Sequence, residues 1–337
     1  MTPVLQSAQL FLLAGLAFVA IGSLASAVLM RALGGHLARW EPRARHRGLV
    51  LFAGLPALIA GVLMLSASLP AIVSLVVPGV DHCTVHDDAH AHAHAHAHLC
   101  FVHLPKMGVN TAVALLLVFL ISYSMLRIAL ASLRIVRTLQ VLDVLAATGE
   151  RRRDLGVTIV ESARPLCLAA GLLRPRILLS RGFAESLTAD ERVVVLAHER
   201  AHVERRDALV ANMVRALASL HLPSAARWLV RELEVAAEQA CDEAAGRVVG
   251  DRLAVASAIL AVERAVQDAS AQQFAEVAVA FGQRAIERRV ESLLSEPGSV
   301  RSLRTPLAWF GAAAIGVLAT TTELHHLTES LLSFITY

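Results

Sequence analysis

The chain has 337 residues, of which 56% are hydrophobic and only 18% are charged. Soluble globular domains carry about 25% charged residues, so the composition excludes an ordinary soluble protein and indicates localised apolar segments. The net charge of +3 is small, and we therefore expect no direct binding of nucleic acids.

Four long stretches without charged residues predict transmembrane helices. A bilayer core requires about 20 apolar residues, within a range of about 17–25. The second stretch contains two prolines and can tilt or kink, and the fourth is short. The predicted spans are Leu10–Met30, Leu49–Val77, Gly108–Leu126 and Leu307–Thr322.

Arginine residues cluster on one side of the predicted spans. Loop 31–48 carries five Arg and one Glu, and further Arg residues follow span three and precede span four. Because cytoplasmic flanks are rich in Lys and Arg, the pattern predicts external N- and C-termini. It also predicts three spans within 1–133, an external loop at 79–107, a cytoplasmic domain at 134–304, and a fourth span with a short external tail at 305–337.

Segment 134–304 is the part of the chain that is large enough for a folded cytoplasmic domain. Thr188 and Glu191 form a capping box that opens an apolar-periodic helix, Val193–Leu209. Two short apolar runs predict strands. These strands are Val157–Glu161 and Arg176–Leu179, and the other predicted helices are Arg134–Gly149, Arg227–Val249, Asp251–Gln267 and Phe281–Leu294.

The sequence His198-Glu-Arg-Ala-His202 is an HExxH motif within the capped helix. Residues four apart share a helix face, so the two imidazoles can converge on one metal ion. Neutral imidazole suits zinc, and Glu199 lies beside the pair, where it can take a proton from a water molecule. The pattern predicts a zinc peptidase with Glu199 as its catalytic base.

A catalytic zinc site needs a third protein ligand. Glu238 and Asp242 are four residues apart in a predicted helix, so one can bind the metal while the other hydrogen-bonds a ligating His. Spacing alone does not assign the two roles. Glu232 and Glu234 are alternative ligands, and Cys241 is either a soft ligand or a small buried residue.

These motifs together resemble the BlaR/MecR-type membrane metallopeptidases, bacterial antirepressor proteases that are distantly related to the HtpX-like proteases. The resemblance covers nearly the whole chain, including the plan of four spans with the zinc domain between the third and the fourth. The residues that carry it are the HExxH motif, Arg206-Asp207, Asn212, Glu238-x-x-Cys241-Asp242 and the run from Gly171 to Ser180.

The resemblance implies a mainly α membrane protein with four transmembrane helices and an α+β zincin-like domain in the bacterial plasma membrane. It implies one catalytic zinc ion held by His198, His202 and Glu238, with Asp242 hydrogen-bonding a ligand. The implied substrate is a winged-helix repressor of the BlaI/MecI kind, and the implied role is a signalling protease that responds to an external signal.

The sequence departs from the family in two ways. It ends soon after the fourth span, so we expect the large extracellular penicillin-binding sensor to be missing. The family often shows an aromatic residue and a Pro after the motif helix, where this chain has His221-Leu-Pro223. His221 is either an oxyanion donor or a structural residue, and we favour the structural interpretation.

The predicted external loop is rich in histidine. Alternate His residues of an extended chain point to one side and could bind zinc, copper or nickel. The loop is either an external metal sensor or a segment that binds metal only weakly, and Cys83 could form a disulfide with Cys100. Its candidate ligands are His86, His90, His92, His94, His96 and His98.

The leading hypothesis is a membrane-anchored zinc endopeptidase that binds its substrate in extended form, beside an edge strand at Arg176–Ser180. A quality-control protease of the HtpX kind is the alternative enzyme. A non-proteolytic metal receptor or transporter would explain the His-rich loop, but the spans lack the ionisable residues of a transport pathway. Expected partners are the lipid membrane, the protein substrate and a second copy in a homodimer.

Overall fold

Three long apolar helices open the described part of the chain. The computed structural model describes residues 3–77, 111–162, 166–270, 276–295 and 304–336. Helices α1 (Pro3–Leu37), α2 (Pro42–Val76) and α3 (Thr111–Thr148) occupy the first three predicted spans. Each is long and apolar enough to cross a membrane.

Helices α1 and α2 form a close antiparallel pair. A Cβ atom at Gly22 would lie 2.8 Å from the carbonyl oxygen of Pro56. Only glycine therefore permits the two backbones to approach this closely. Helix α2 continues through both of its internal prolines, Pro56 and Pro70.

The C-terminal part of the described chain packs against α2. Helix α10 (Arg304–Ala319) is followed by α11 (Thr321–Thr336). Ser66 of α2 donates a hydrogen bond to the carbonyl of Val317, and Nδ1 of the buried His325 donates to the carbonyl of Ala67. Because α10 has 16 residues, which is short for a span, the fourth transmembrane helix remains a prediction.

A four-stranded sheet follows α3. Its strands are β1 (Glu150–Arg152), β2 (Val157–Val160), β3 (Cys167–Ala170) and β4 (Arg176–Ser180), in the order β1-β2-β4-β3. Strands β2 and β4 are parallel, and the two outer pairings are antiparallel. The expectation that Arg176–Ser180 is an edge strand is therefore wrong. Strand β4 is paired on both sides, and β1 and β3 form the two edges.

The sheet is covered on both faces, which explains why β2 and β4 consist almost entirely of buried residues. The end of α3 contributes Leu142 and Leu145 to one cluster, around Val160 and Leu178. The other face packs against Phe183 and the helices that follow. The prediction that the helix of span three continues into the domain is confirmed.

The remaining helices of the domain are α4 (Arg181–Ser186), α5 (Ala189–Arg205), α6 (Asp207–Ala218), α7 (Pro223–Val249), α8 (Arg252–Ser270) and α9 (Glu276–Leu294). The predicted capping box is confirmed, because the Thr188 side chain accepts from the Glu191 N–H and the Glu191 carboxylate accepts from the Thr188 N–H. Helix α5 ends at Arg206, whose φ of 53° lies in the left-handed region.

Helices α6 and α7 dock on the membrane helices. Met30 of α1 and Leu49 of α2 pack with Val214 of α6 and Leu229 of α7 in one buried cluster. The domain therefore rests against the end of the α1–α2 pair that carries the Arg-rich loop.

Candidate metal centre

The two histidines of the HExxH motif converge on one point. His198 and His202 lie one turn apart on α5, and their Nε2 atoms are 3.1 Å apart. Tetrahedral zinc with bonds of about 2.0–2.1 Å separates two ligating nitrogens by about 3.3 Å. The spacing of the two imidazoles therefore suits a shared metal ion.

Glu238 completes a group of three donors. Its two carboxylate oxygens lie 3.5 Å from Nε2 of His198 and 3.5 Å from Nε2 of His202. The donor atoms of the three residues lie within 4.8 Å of one another. Two imidazoles and a carboxylate are ligands that zinc accepts, so these residues fit a zinc ion with one open position.

The other ring nitrogen of each histidine is held by an aspartate. Nδ1 of His198 lies 2.9 Å from Asp242, and Nδ1 of His202 lies 2.8 Å from Asp207. Each carboxylate can only accept, so each Nδ1 carries the proton and each Nε2 is left to bind a metal. Both aspartates are buried, which fixes the orientation of the rings.

Sequence reasoning gave Asp207 no role. The left-handed Arg206 ends α5 and turns the chain back, so Asp207, the first residue of α6, reaches His202. The sequence shows an aspartate five residues after His202, but helical spacing alone does not predict that its side chain contacts His202.

Nearby carboxylates raise the pKa of both candidate histidine ligands. Burial alone would lower the pKa of His198, but the carboxylates of Asp242 and Glu238 outweigh it and raise the pKa. Burial would also lower the pKa of His202, but the hydrogen bond with Asp207 is the main cause that outweighs burial, and the pKa rises. Because the metal-binding form of imidazole is neutral, a raised pKa makes metal binding at this site dependent on pH.

Glu199 lies on the wall of a cavity of about 500 Å³ that the three candidate ligands also line. Burial raises the pKa of Glu199, while a hydrogen bond from the Ala169 N–H opposes the rise. Leu168 and Ala169 of the edge strand β3 line the same cavity. The candidate base, the three candidate ligands and the edge strand β3 thus meet at one cavity.

The alternative ligands lie elsewhere or are less suited. Glu232 pairs with Arg45 and Arg288, and Glu234 pairs with Arg215. Cys241 is fully buried and donates weakly to Asp207 at 3.5 Å.

Cys241 also forms a second group of potential donors with His202 and Asp207. The latter two are hydrogen-bonded to each other, however, and burial raises the pKa of the Cys241 thiol. The group built on Glu238 is therefore the better metal site.

His221 lies away from the cavity. It is buried between the membrane helices and the domain, with Nδ1 3.3 Å from Oγ of Ser26 in α1 and Nε2 3.1 Å from the carbonyl of Ala53 in α2. These contacts support the structural interpretation of His221. Cys83, Cys100 and the histidines of the predicted external loop lie outside the described residues.

A family model described as BlaR1 peptidase M56 matches residues 82–293. The match covers more than half of the 337 residues. The chain belongs to the BlaR1 peptidase M56 family. It is accordingly a membrane-associated metallopeptidase, mainly helical with a small sheet. No curated protein and no solved structure matches the chain.

Proposed function

We propose that this M56 peptidase is a zinc-dependent endopeptidase that cleaves a cytoplasmic repressor in response to an external signal. The observation that carries the proposal is the convergence of His198, His202 and Glu238 beside Glu199 in a cavity bordered by a strand edge. His198, His202 and Glu238 hold the zinc ion, and Asp242 and Asp207 orient the two imidazoles.

A zinc ion held by these residues would supply a Lewis acid for the scissile carbonyl and would lower the pKa of a water molecule to about 7. Glu199 accepts the proton of the attacking water and then delivers it to the departing amine nitrogen. Burial raises the pKa of Glu199, which strengthens the carboxylate as a proton acceptor.

The substrate binds in extended form along β3. The Ser180 N–H donates to the carbonyl of Leu166, which makes these two residues a hydrogen-bonded pair. In the alternating ladder of an antiparallel pair, the backbone groups of Cys167 and Ala169 then point away from β4. The Ala169 N–H donates to Glu199, and the other outward groups of Cys167 and Ala169 can pair with a peptide backbone by strand addition.

The catalytic domain faces the cytoplasm in this proposal, and the N- and C-termini are external. The Arg-rich flanks of the spans support this orientation. The docking of α6 and α7 on α1 and α2 keeps the cavity close to the membrane surface. A small winged-helix repressor of the BlaI/MecI kind would reach the site from the cytoplasm.

The test is cleavage of such a repressor in membranes that contain the wild type or Glu199→Ala. We expect the wild type to cut the repressor at one position and the variant to leave it intact while retaining zinc. Cleavage by the variant would contradict the role of Glu199. Cleavage of many unfolded membrane proteins, with the repressor spared, would point to a quality-control protease instead.

A further inference from the structure

Helix α9 brings an arginine, Arg289, into the lining of the cavity that holds the candidate metal centre. Nε and Nη2 of Arg289 donate to the two carboxylate oxygens of Asp242 at 2.8 and 2.7 Å. Nη1 of the same guanidinium lies 3.1 Å from Oε2 of Glu238. One arginine therefore binds both acidic residues on which the site depends.

The burial of the three residues shows why this cation matters. The Asp242 side chain is 1% exposed, and a buried carboxylate needs a charged or hydrogen-bonding partner. Glu238 is 38% exposed, so burial alone does not fix its carboxylate. A guanidinium donates in a planar fork, which can fix two carboxylates at once.

The preceding residue of α9, Arg288, contacts Glu232, which lies on α7 together with Glu238 and Asp242. Arg288 donates to both oxygens of Glu232, at 2.8 and 2.9 Å. Glu232 is shared with Arg45 of α2. Gln239 links the same residues, because it accepts from Arg45 and donates to the carbonyl of Arg288.

Arg288 and Arg289 thus hold α9 on α7 at two places. One arginine binds Glu232, which also pairs with Arg45 of α2, and the other holds Glu238 and Asp242. A displacement of α9 from α7 would withdraw Arg289 from both carboxylates.

We propose that Arg289 is a positioning residue that holds Glu238 and Asp242 in their metal-binding arrangement, and that Arg288 ties this arrangement to the membrane helix α2. The inference rests on the proposed function, since it assumes that His198, His202 and Glu238 bind zinc. It adds a residue from another helix to the site, together with a structural link from the site to the membrane.

The experiment measures the zinc dissociation constant of the purified full chain in detergent, with His86, His90, His92, His94, His96 and His98 replaced by Ala to remove competing sites. Arg289→Gln is compared with Arg289→Lys, Arg288→Gln and the control Arg215→Gln. The control removes one positive charge from the surface pair of Arg215 and Glu234, whose side chains are 52% and 49% exposed. Thermal unfolding and the visible spectrum of the cobalt-loaded protein are recorded for each.

Changes in groups that orient metal ligands cost about 10–100-fold in metal affinity. We expect an increase of this size in the dissociation constant for Arg289→Gln. Arg289→Lys keeps the charge but loses the fork, so it should restore part of the affinity. Arg288→Gln should show a smaller increase, and Arg215→Gln none. The cobalt spectrum should change for Arg289→Gln and remain unchanged for Arg215→Gln.

An unchanged dissociation constant and cobalt spectrum for Arg289→Gln would overturn the inference while leaving the proposed function intact. If Arg289→Lys and Arg289→Gln lost zinc affinity equally, and in proportion to a lower unfolding temperature, Arg289 would have only a structural role, which would overturn the inference. An unchanged affinity for Arg288→Gln would remove the link to α2. Absence of zinc from the parent protein would instead contradict the proposed function itself.

Discussion

Replacing Asp207 by Ala removes the acceptor that orients His202. Asp207 accepts from Nδ1 of His202 at 2.8 Å, and Arg205 donates to both of its oxygens at 3.1 Å. Its side chain is 9% exposed, so water does not readily replace the lost carboxylate. The His202 ring would then be free to rotate and to change tautomer.

The size of the effect follows from this geometry. A hydrogen bond to a charged group contributes about 1.5–3 kcal/mol. A tenfold change in affinity corresponds to about 1.4 kcal/mol, so loss of this bond predicts a zinc dissociation constant about 10–100-fold higher. Asp207→Asn keeps an acceptor oxygen but loses the charge, and we expect a smaller increase.

The assay is competition for zinc with a chromophoric chelator, using the full chain in detergent. Asp154→Asn is the matched control, because Asp154 pairs with Arg152 at the surface with the two side chains 59% and 45% exposed. An Asp207→Ala protein that is folded and binds zinc as tightly as the wild type would refute the reasoning. A similar loss in Asp154→Asn would show that charge alone, and not the contact with His202, determines the affinity.

Three further predictions concern the base, the strand edge and the membrane contact. Burial raises the pKa of Glu199 above 4.5, and the base must be ionised to act. The value of kcat/KM should therefore fall as the pH drops through a midpoint above 4.5, and a midpoint at or below 4.5 would contradict this. Cys167→Pro should reduce cleavage and leave the zinc content unchanged, because Pro on an edge strand removes only an outward N–H and the Ala169 N–H that bonds Glu199 is kept; unchanged cleavage would exclude strand addition there. His221→Ala should lower the free energy of unfolding by about 2 kcal/mol through loss of its bonds to Ser26 and Ala53, measured by thermal unfolding, and an unchanged stability would contradict its structural role.

Much of the helical framework could be predicted from periodicity and capping. The capping box at Thr188 and the HExxH spacing identified α5 and the face that carries both imidazoles. Long uncharged stretches located α1, α2 and α3. Glu238 and Asp242 were found because four-residue spacing on a helix is visible in the sequence, whereas the zinc-binding role of Glu238 remains a prediction.

The parts that sequence reasoning missed depend on tertiary structure. Strand β3 is a short segment, Cys167–Ala170, with too few residues for an alternating pattern, so β4 was taken for the edge. Arg289 lies 47 residues from Asp242, and no local pattern relates the two. Asp207 reaches His202 only through the left-handed turn at Arg206.

The most direct test of the account is the zinc content of the full chain in which the His residues at 86, 90, 92, 94, 96 and 98 are replaced by Ala. We predict one zinc ion per chain, retained in Glu199→Ala and lost when His198 and His202 are both replaced by Ala. A chain without zinc, or a zinc content that is unaffected by the loss of His198 and His202, would contradict the metal centre proposed for this peptidase.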